Sequence, residues 1–179
     1  PKGFNTLKII QEIQAQKDVD GFSQEKRYFS PVLAKAIFSA LKKSGKLLKK
    51  KTIVALVNSD VFGKTLKDFL KKEGLRAEYL LRGESSLFQI KLRLKLADIV
   101  ITVCGCPGLI KGDMLKPGVI LIDAGFTLLP KGRVRGDVEK KSVEGKASFL
   151  TPVPGGIGPL TVAFLLKNVY YATKISSGY

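Results

Sequence analysis

Residues 98–104 read Asp-Ile-Val-Ile-Thr-Val-Cys, which is the clearest strand signal in the chain. A run that is apolar on both faces is typical of a parallel strand that helices cover on either side. Four further segments have strand character, at 52–57, 76–81, 119–124 and 147–150. Helices are predicted between them at 64–73 and 87–96. Alternation at this spacing predicts an α/β fold with a doubly wound, mainly parallel Rossmann-like sheet and flanking helices.

The stretch 151–161, Thr-Pro-Val-Pro-Gly-Gly-Ile-Gly-Pro-Leu-Thr, contains three prolines and three glycines. Proline removes amide donors and fixes φ, while glycine allows φ > 0, so a loop with exposed backbone is predicted. An apolar helix is predicted directly after it, at 160–174, and the free amides at a helix start favour anions. We therefore expect a flat or anionic ligand against this loop. The alternative is an ordinary strand-to-helix turn, although such turns are usually shorter.

The first fifty residues differ from the rest of the chain. Helices are predicted at 7–14 and 32–44, with a turn at 18–21. Asp18 and Asp20 in this turn form a calcium-like Asp-x-Asp-Gly pattern, but the remaining ligands of a calcium loop are missing. We interpret the chain as three parts: the tail of a preceding domain at 1–28, a Rossmann-like domain at 29–162, and a C-terminal helix that packs back towards the preceding domain at 163–179.

The chain carries 31 basic and 15 acidic residues, which give a formal charge of +16. Such an excess attracts anions such as nucleotides, polyglutamylated ligands or nucleic acid. Much of it lies in lysines of predicted helices, where lysine forms a solvated face, and few aromatic residues alternate with them. Because single-strand binders combine a basic groove with aromatic platforms, nucleic acid is not an expected partner.

The residue types present exclude several kinds of chemistry. The chain has no histidine, and its two cysteines, Cys104 and Cys106, are one residue apart. This spacing is strained for a disulfide and leaves a zinc site short of ligands, so neither a metal site nor histidine acid–base catalysis is expected. No apolar run approaches the ~20 residues of a membrane span. These features predict a protein of the reducing cytoplasm that has no membrane partner.

Ligands of doubly wound sheets bind at the carboxyl ends of the strands. In this sequence those ends lie at 58–60, 82–85, 104–108, 123–125 and 151–159. They are rich in glycine and hydroxyl residues and poor in pairs of nucleophile and base. The loop after the first strand has only Gly63 where a dinucleotide fingerprint has three glycines. A nucleotide crevice is still the favoured interpretation, because the third, fourth and fifth strand ends all carry glycine.

Five segments carry a resemblance to a known family. In chain order they are 17–22 (KDVDGF), 105–113 (GCPGLIKGD), 116–125 (KPGVILIDAG), 136–138 (GDV) and 151–168 (TPVPGGIGPLTVAFLLKN). They resemble the bifunctional 5,10-methylenetetrahydrofolate dehydrogenase/5,10-methenyltetrahydrofolate cyclohydrolase family, for which the proline–glycine string is very specific. The resemblance implies the C-terminal NAD(P)-binding domain, joined through 1–28 to a folate-binding catalytic domain. It also implies oxidation of 5,10-methylenetetrahydrofolate with NADP and hydrolysis of the methenyl product to 10-formyltetrahydrofolate.

The resemblance assigns residues to the site. NADP is the implied cofactor, with NAD as the alternative, and tetrahydrofolate derivatives are the implied substrates. The implied cofactor-binding residues are Ser30, Asn58, Ser59, Gly63, Arg82, Gly105, Pro107, Gly125, Phe126 and Thr161. The implied substrate-binding residues are Asp20, Pro154, Gly155, Gly158 and Thr161. Among them, Asp20 is the catalytic-site aspartate that orients the pteridine ring.

Two further expectations follow from the resemblance. The catalytic lysine of the family lies upstream of the matched region, so no turnover is expected of the 179-residue chain by itself. A homodimer is also implied, and the apolar segment 125–129 is expected to form an exposed sheet edge at its interface.

The chain departs from the family pattern in the cofactor loop. The usual Gly-Arg-Ser-x-x-Val-Gly reads Val-Asn-Ser-Asp-Val-Phe-Gly at 57–63, so the first glycine and the arginine that clamps the 2′-phosphate are replaced. Asn58 cannot supply a bidentate cation, and Arg82 at the next strand end is the candidate to restore the charge. Ser30 retains one hydroxyl of the family's Pro-Cys-Thr-Pro. The alternative hypothesis is therefore a non-catalytic Rossmann-like binding module that has lost strong NADP binding.

Overall fold

Five parallel strands form the central sheet of the structure, a computed structural model that describes residues 6–23 and 28–177. The strands, with a separate ribbon of β5 and β6, are β1 (Ile53–Val57), β2 (Ala77–Leu81), β3 (Ile99–Val103), β4 (Val119–Asp123), β5 (Thr127–Leu128), β6 (Val134–Arg135) and β7 (Ala147–Leu150). The sheet order is β2-β1-β3-β4-β7. The predicted α/β, doubly wound, mainly parallel fold is confirmed.

Helices cover both faces of this sheet. They are α1 (Thr6–Glu12), α2 (Val32–Lys43), α3 (Asp60–Lys72), α4 (Leu87–Leu96), α5 (Lys140–Val143) and α6 (Ile157–Ser176). Alternate residues of each strand enter opposite cores: in β1, Ile53 packs with α2 and α3, whereas Val54 packs with α4. The central strands β1, β3 and β4 are therefore apolar on both faces, as the sequence pattern predicts. Among the described residues, no helix has the length and apolar character needed to cross a membrane.

Helix α3 begins four residues before its predicted start. Its N-cap is Ser59, whose Oγ accepts a hydrogen bond from the Phe62 N–H at 3.4 Å. Gly63 lies in the first turn of α3, and a Cβ at this position would overlap the Tyr79 ring of β2. Glycine therefore allows α3 to approach the sheet closely, which is the packing role of a glycine in this loop. The helix ends at Lys72, and Gly74 follows its C-cap with φ of +78°, in the terminating role that the sequence predicts.

Helix α6 begins at Ile157, three residues before its predicted start. Pro159 is part of its first turn, where backbone N–H groups have no intrahelical partner, so a proline is tolerated there. The helix runs without a break through Val162, and the predicted domain boundary between 162 and 163 falls inside it. At the other end of the chain, α1 covers Thr6–Glu12 rather than the predicted 7–14.

The segment after β4 differs from its prediction. Strands β5 and β6 pair antiparallel in the separate ribbon, and the edges of the parallel sheet are β2 and β7. The expectation that 125–129 forms an edge of the parallel sheet is therefore wrong: residues 127–128 are one strand of the separate ribbon, and Phe126 and Leu128 are 64% and 66% exposed. The predicted surface excursion at 131–138 also ends early, because residues 136–138 turn back into the core.

The N-terminal residues are tied to the last helix by Asn168. Its buried side-chain amide donates hydrogen bonds to the Val19 carbonyl at 2.8 Å and to the Ser30 carbonyl at 3.3 Å. Asp18 closes the turn at 18–23, because its carboxylate accepts hydrogen bonds from the three backbone N–H groups of residues 21–23. The first aspartate of the Asp-x-Asp-Gly pattern is thus a turn-closing residue. In the described part of the chain, no group of three or more acidic or cysteine side chains is placed to hold a metal ion.

Candidate functional site

A cleft of about 340 Å³ lies at the carboxyl ends of β4 and β7. The loop after β7 and the start of α6 form one wall, and Leu33 of α2 faces them. Six of the predicted site residues line it together: Gly125, Phe126, Pro154, Gly155, Gly158 and Thr161. Doubly wound folds bind their ligands at this edge of the sheet. The structure therefore gathers residues from two distant segments into one candidate site.

The proline–glycine loop supplies backbone rather than side chains to this cleft. Gly155 has φ of +98°, a conformation that residues with a Cβ rarely adopt, and no atom lies within 4 Å of the position a Cβ would take. Gly158 is equally open. Thr161 turns its hydroxyl inward, donating to the Ile157 carbonyl at 2.9 Å. Because Gly155 and Gly158 have no side chain, a planar group can approach the backbone of the loop closely at these two positions.

A buried carboxylate, Asp123, organises the floor of the cleft. One of its oxygens accepts hydrogen bonds from the backbone N–H groups of Gly125 and Asp137, and the other accepts one from Val138, all at 3.0 Å. Burial raises the pKa of the Asp123 carboxyl above its ordinary value, while these donors act in the opposite direction. The carboxylate thus joins the end of β4 to the segment that returns from β6.

A second buried carboxylate, Asp137, fixes the end of β3. It accepts hydrogen bonds from the Thr102 hydroxyl at 2.8 Å and from the Cys104 and Cys106 N–H groups at 2.7 Å each. The loop that carries Gly105 is therefore held at both sides of that residue. Sequence reasoning assigned no role to Asp123 or Asp137. The available signal was an aspartate directly after an apolar strand run, together with the Gly-Asp-Val segment.

The two cysteines are free thiols. Burial, followed by the nearby negative charge of Asp137, raises the pKa of the Cys104 thiol to about 11. A thiolate is the reactive form of cysteine, so Cys104 is inert at neutral pH and has a packing role. Its Sγ lies 3.4 Å from the Leu56 carbonyl, between two strands.

The predicted nucleotide loop lies at the ends of β1 and β2, outside the described lining of the cleft. Asn58 crosses from β1 to β3: its backbone N–H donates to the Val103 carbonyl and its side-chain amide to the Cys104 carbonyl, both at 3.3 Å. These two strands flank the point at which the strand order reverses. Arg82 follows β2, is exposed, and donates its backbone N–H to the Val57 carbonyl at 2.9 Å. Asn58 and Arg82 are therefore neighbours across β1 and β2.

The remaining predicted residues are dispersed. Gly105 has φ of +61°, and a Cβ there would lie 3.7 Å from the Phe126 carbonyl, so it borders the cleft. Pro107 is half-buried in the following turn, and Asp20 is exposed in the turn before α2. Ser30 lines a different groove, which it shares with α2, α3 and α6. The structure thus brings together the predicted residues of the proline–glycine loop, the start of α6 and the segment after β4. It places Ser30 in a different groove.

The sequence model of the protein family described as the tetrahydrofolate dehydrogenase/cyclohydrolase NAD(P)-binding domain matches residues 31–177 of this chain. The chain belongs to this family. Two relatives named bifunctional protein FolD support the assignment. That of Caldanaerobacter subterraneus is 36% identical over 182 residues, and that of Aliarcobacter butzleri is 34% identical over 183 residues. The matches cover 97% and 98% of this chain but 64% and 63% of the relatives. This member of the family therefore spans less than two thirds of their length.

Solved structures of the family agree with the fold. The bifunctional enzyme FolD from Campylobacter jejuni superposes with a TM-score of 0.83 at 31% identity, over 98% of this chain and 64% of that one. The FolD of Trypanosoma brucei, complexed with an NADP cofactor and an inhibitor, gives a TM-score of 0.82 at 29% identity, over 99% and 65%. The predicted family resemblance is thereby confirmed.

Proposed function

We propose that this chain is the cofactor domain of an enzyme that oxidises 5,10-methylenetetrahydrofolate with NADP and hydrolyses the methenyl product to 10-formyltetrahydrofolate. The observation that carries the proposal is the cleft in which the proline–glycine loop meets Gly125 and Phe126, in a chain of this family. Bound NADP would supply the hydride acceptor for the methylene carbon, whose oxidation gives the methenyl cation. The residues of this chain hold and orient the two rings.

Each part of the site has a role in this proposal. The open backbone at Gly155 and Gly158 forms the surface on which flat rings rest. Phe126 and Pro154 supply apolar walls that limit water at the reacting atoms. The exposed carboxylate of Asp20 orients the pteridine ring from the N-terminal side. Together they would fix the geometry of hydride transfer.

The exposed face of α6 fits the proposed domain arrangement. Val162, Leu166 and Val169 are 56%, 63% and 43% exposed, an unusual share of apolar surface for one helix. We propose that this face of α6 packs against the folate-binding part of the enzyme, to which residues 1–28 belong, and that the cofactor domain extends from residue 29 into α6. The cytoplasm is the proposed location, consistent with two cysteines that remain free thiols.

The second candidate function is a non-catalytic binding module of the same family. It is favoured by Asn58, which stands where the cationic clamp is expected and donates its side-chain amide to the Cys104 carbonyl. The intact proline–glycine loop favours the enzyme instead, because that loop serves no packing purpose at Gly155 or Gly158. Cofactor titration separates the two candidates.

We expect NADP to bind no more than about tenfold tighter than NAD, because each contact of a cationic fork to the 2′-phosphate adds roughly 1.5–3 kcal/mol and Asn58 has no such fork. The general charge of +16 favours the extra phosphate, but salt screens it. Isothermal titration of both cofactors at low and near-physiological salt distinguishes these effects. A strong NADP preference that persists at the higher salt shows a specific clamp and eliminates the binding-module candidate.

Arg82→Met identifies the residue responsible for any such preference, and Arg76→Met is its matched control. Both arginines are exposed and flank β2. Arg82 follows its carboxyl end, where the predicted nucleotide loop lies, whereas Arg76 precedes its opposite end. If Arg82 contacts the 2′-phosphate, its loss weakens NADP binding and leaves NAD binding unchanged. Equal losses in the two variants would show that only the general charge matters.

We also expect the intact enzyme to be a homodimer that uses the β5–β6 ribbon. Phe126 and Leu128 are 64% and 66% exposed there, and exposed apolar side chains at one place favour an interface. Light scattering at tens of micromolar, a range chosen against typical interface affinities, should give twice the chain mass. Leu128→Asp should give a monomer, whereas the control Leu47→Asp, at a site 79% exposed, should not. A monomeric wild-type enzyme would contradict this expectation.

A further inference from the structure

The cleft has a charge of opposite sign to that of the whole chain. Asp123 is the one ionisable side chain among its described lining residues, which are otherwise apolar, glycine or hydroxyl-bearing. The chain itself has a formal charge of +16. Asp123 is 1% exposed, so its carboxylate lies within the wall rather than in solvent. The cleft thus combines apolar walls with a buried negative charge.

Asp123 has no cationic partner among residues 6–23 and 28–177. None of the ion pairs found there includes it or Asp137. Its three hydrogen bonds come from neutral backbone N–H groups, which favour the ionised carboxylate without neutralising it. Asp137 is also fully buried, and its backbone N–H is one of these three donors. The described lining of the cleft contains no lysine or arginine side chain, and the exposed Lys140, whose Nζ donates to the Val153 carbonyl at 3.0 Å, approaches it from outside that lining.

We propose that Asp123 is a specificity-determining residue that makes the cleft prefer a cationic planar ring over the neutral form of the same ring. A fixed carboxylate in a poorly hydrated site attracts a cation far more strongly than it does in water. The inference rests on the proposed function, in which the oxidised nicotinamide ring is cationic and the reduced ring is neutral. The methenyl product also carries a positive charge that the methylene substrate lacks. Asp123 would therefore favour whichever of the two bound rings carries the single positive charge.

The test compares NADP⁺ and NADPH binding to the 179-residue chain and to Asp123→Asn, which removes the charge and keeps the shape. At about 0.3 M salt the general field of the chain is screened, so the local charge dominates. Asp123→Asn should weaken NADP⁺ binding by about three- to tenfold relative to NADPH binding. Isothermal titration of each form gives the two dissociation constants and hence their ratio.

Thr151→Val is the matched control. The Thr151 hydroxyl accepts a hydrogen bond from the Asp123 N–H at 2.8 Å and donates one to its carbonyl at 3.1 Å, so the variant loosens the same residue without changing charge. A structural effect changes both dissociation constants by one factor and leaves their ratio unchanged. Thr151→Val should behave in this way, and the ratio should change only in Asp123→Asn.

Each outcome decides the inference. If the ratio in Asp123→Asn equals that of wild type while both forms bind, Asp123 has no charge role, yet the proposed function stands. If wild type binds neither form, the proposed function and the inference both fail. If Asp123→Asn does not fold, the wild-type ratio decides, because NADP⁺ should then bind at least about threefold tighter than NADPH at 0.3 M salt. An equal or reversed preference would overturn the inference.

Discussion

Gly125→Ala should lower the free energy of unfolding by about 3 kcal/mol, the upper end of the usual cost of overpacking. A Cβ at Gly125 would coincide with the Asp137 carboxyl group. That carboxylate cannot move aside, because it holds the Thr102 hydroxyl and two backbone N–H groups of the following loop. A domain of this size has roughly 5–15 kcal/mol of stability, so the variant would lose a large fraction of it. Urea denaturation followed by circular dichroism measures the difference.

Gly83→Ala is the control for this prediction. Gly83 lies outside the left-handed region and has no atom within 4 Å of its added Cβ. Its replacement should change the free energy of unfolding by no more than about 0.5 kcal/mol. A loss below about 1 kcal/mol in Gly125→Ala would mean that the Asp137 carboxylate is not held as firmly as its hydrogen bonds indicate.

Asp137→Ala should have an effect of similar size, about 3–5 kcal/mol of unfolding free energy, for a different reason. It deprives three donors of their acceptor: the Thr102 hydroxyl and the Cys104 and Cys106 N–H groups. Each buried polar group left without a partner costs about 1–3 kcal/mol. Asp137→Asn should cost less, since the remaining carbonyl oxygen still accepts hydrogen bonds. Urea denaturation of both variants measures the order of these losses.

Asp113→Ala is the matched control for Asp137→Ala. Asp113 is an exposed aspartate whose carboxylate pairs with Lys91. Surface ion pairs contribute about 0–1 kcal/mol, so its removal should be nearly neutral. If Asp113→Ala and Asp137→Ala destabilise the chain equally, the buried carboxylate contributes nothing beyond an ordinary surface charge.

The strands could be predicted from the sequence because the signal is local. β-branched runs such as Ile99–Val103 are apolar on both faces, and that pattern is enough to place a buried parallel strand. The starts of α3 and α6 could not be placed so well. A serine N-cap at Ser59 and a proline inside the first turn at Pro159 both look like loop residues until the helix geometry is known.

The arrangement of the site could not be predicted in the same way, because it depends on hydrogen bonds between residues that are far apart in the sequence. The Asp137 carboxylate meets donors 31, 33 and 35 residues earlier in the chain. Asp123 likewise meets Val138, 15 residues later. Asp123 and Asp137, and the glycines that they crowd, Gly125 and Gly136, lie in segments shared with the family, but their sequence pattern does not show which donors they meet. The cleft residues were found through that resemblance, whereas the charge of the cleft floor required the folded chain.

The hydrogen bonds of Asn168 set an order of events during protein synthesis. Their acceptors, at Val19 and Ser30, lie 149 and 138 residues before Asn168. At translation rates of about 5–20 residues per second, the early segment waits roughly 7–30 s for its partner. The central strands emerge within that interval, so the sheet can form before the N-terminal turn is secured. The nascent chain therefore exposes this turn to chaperones and proteases until α6 has left the ribosome.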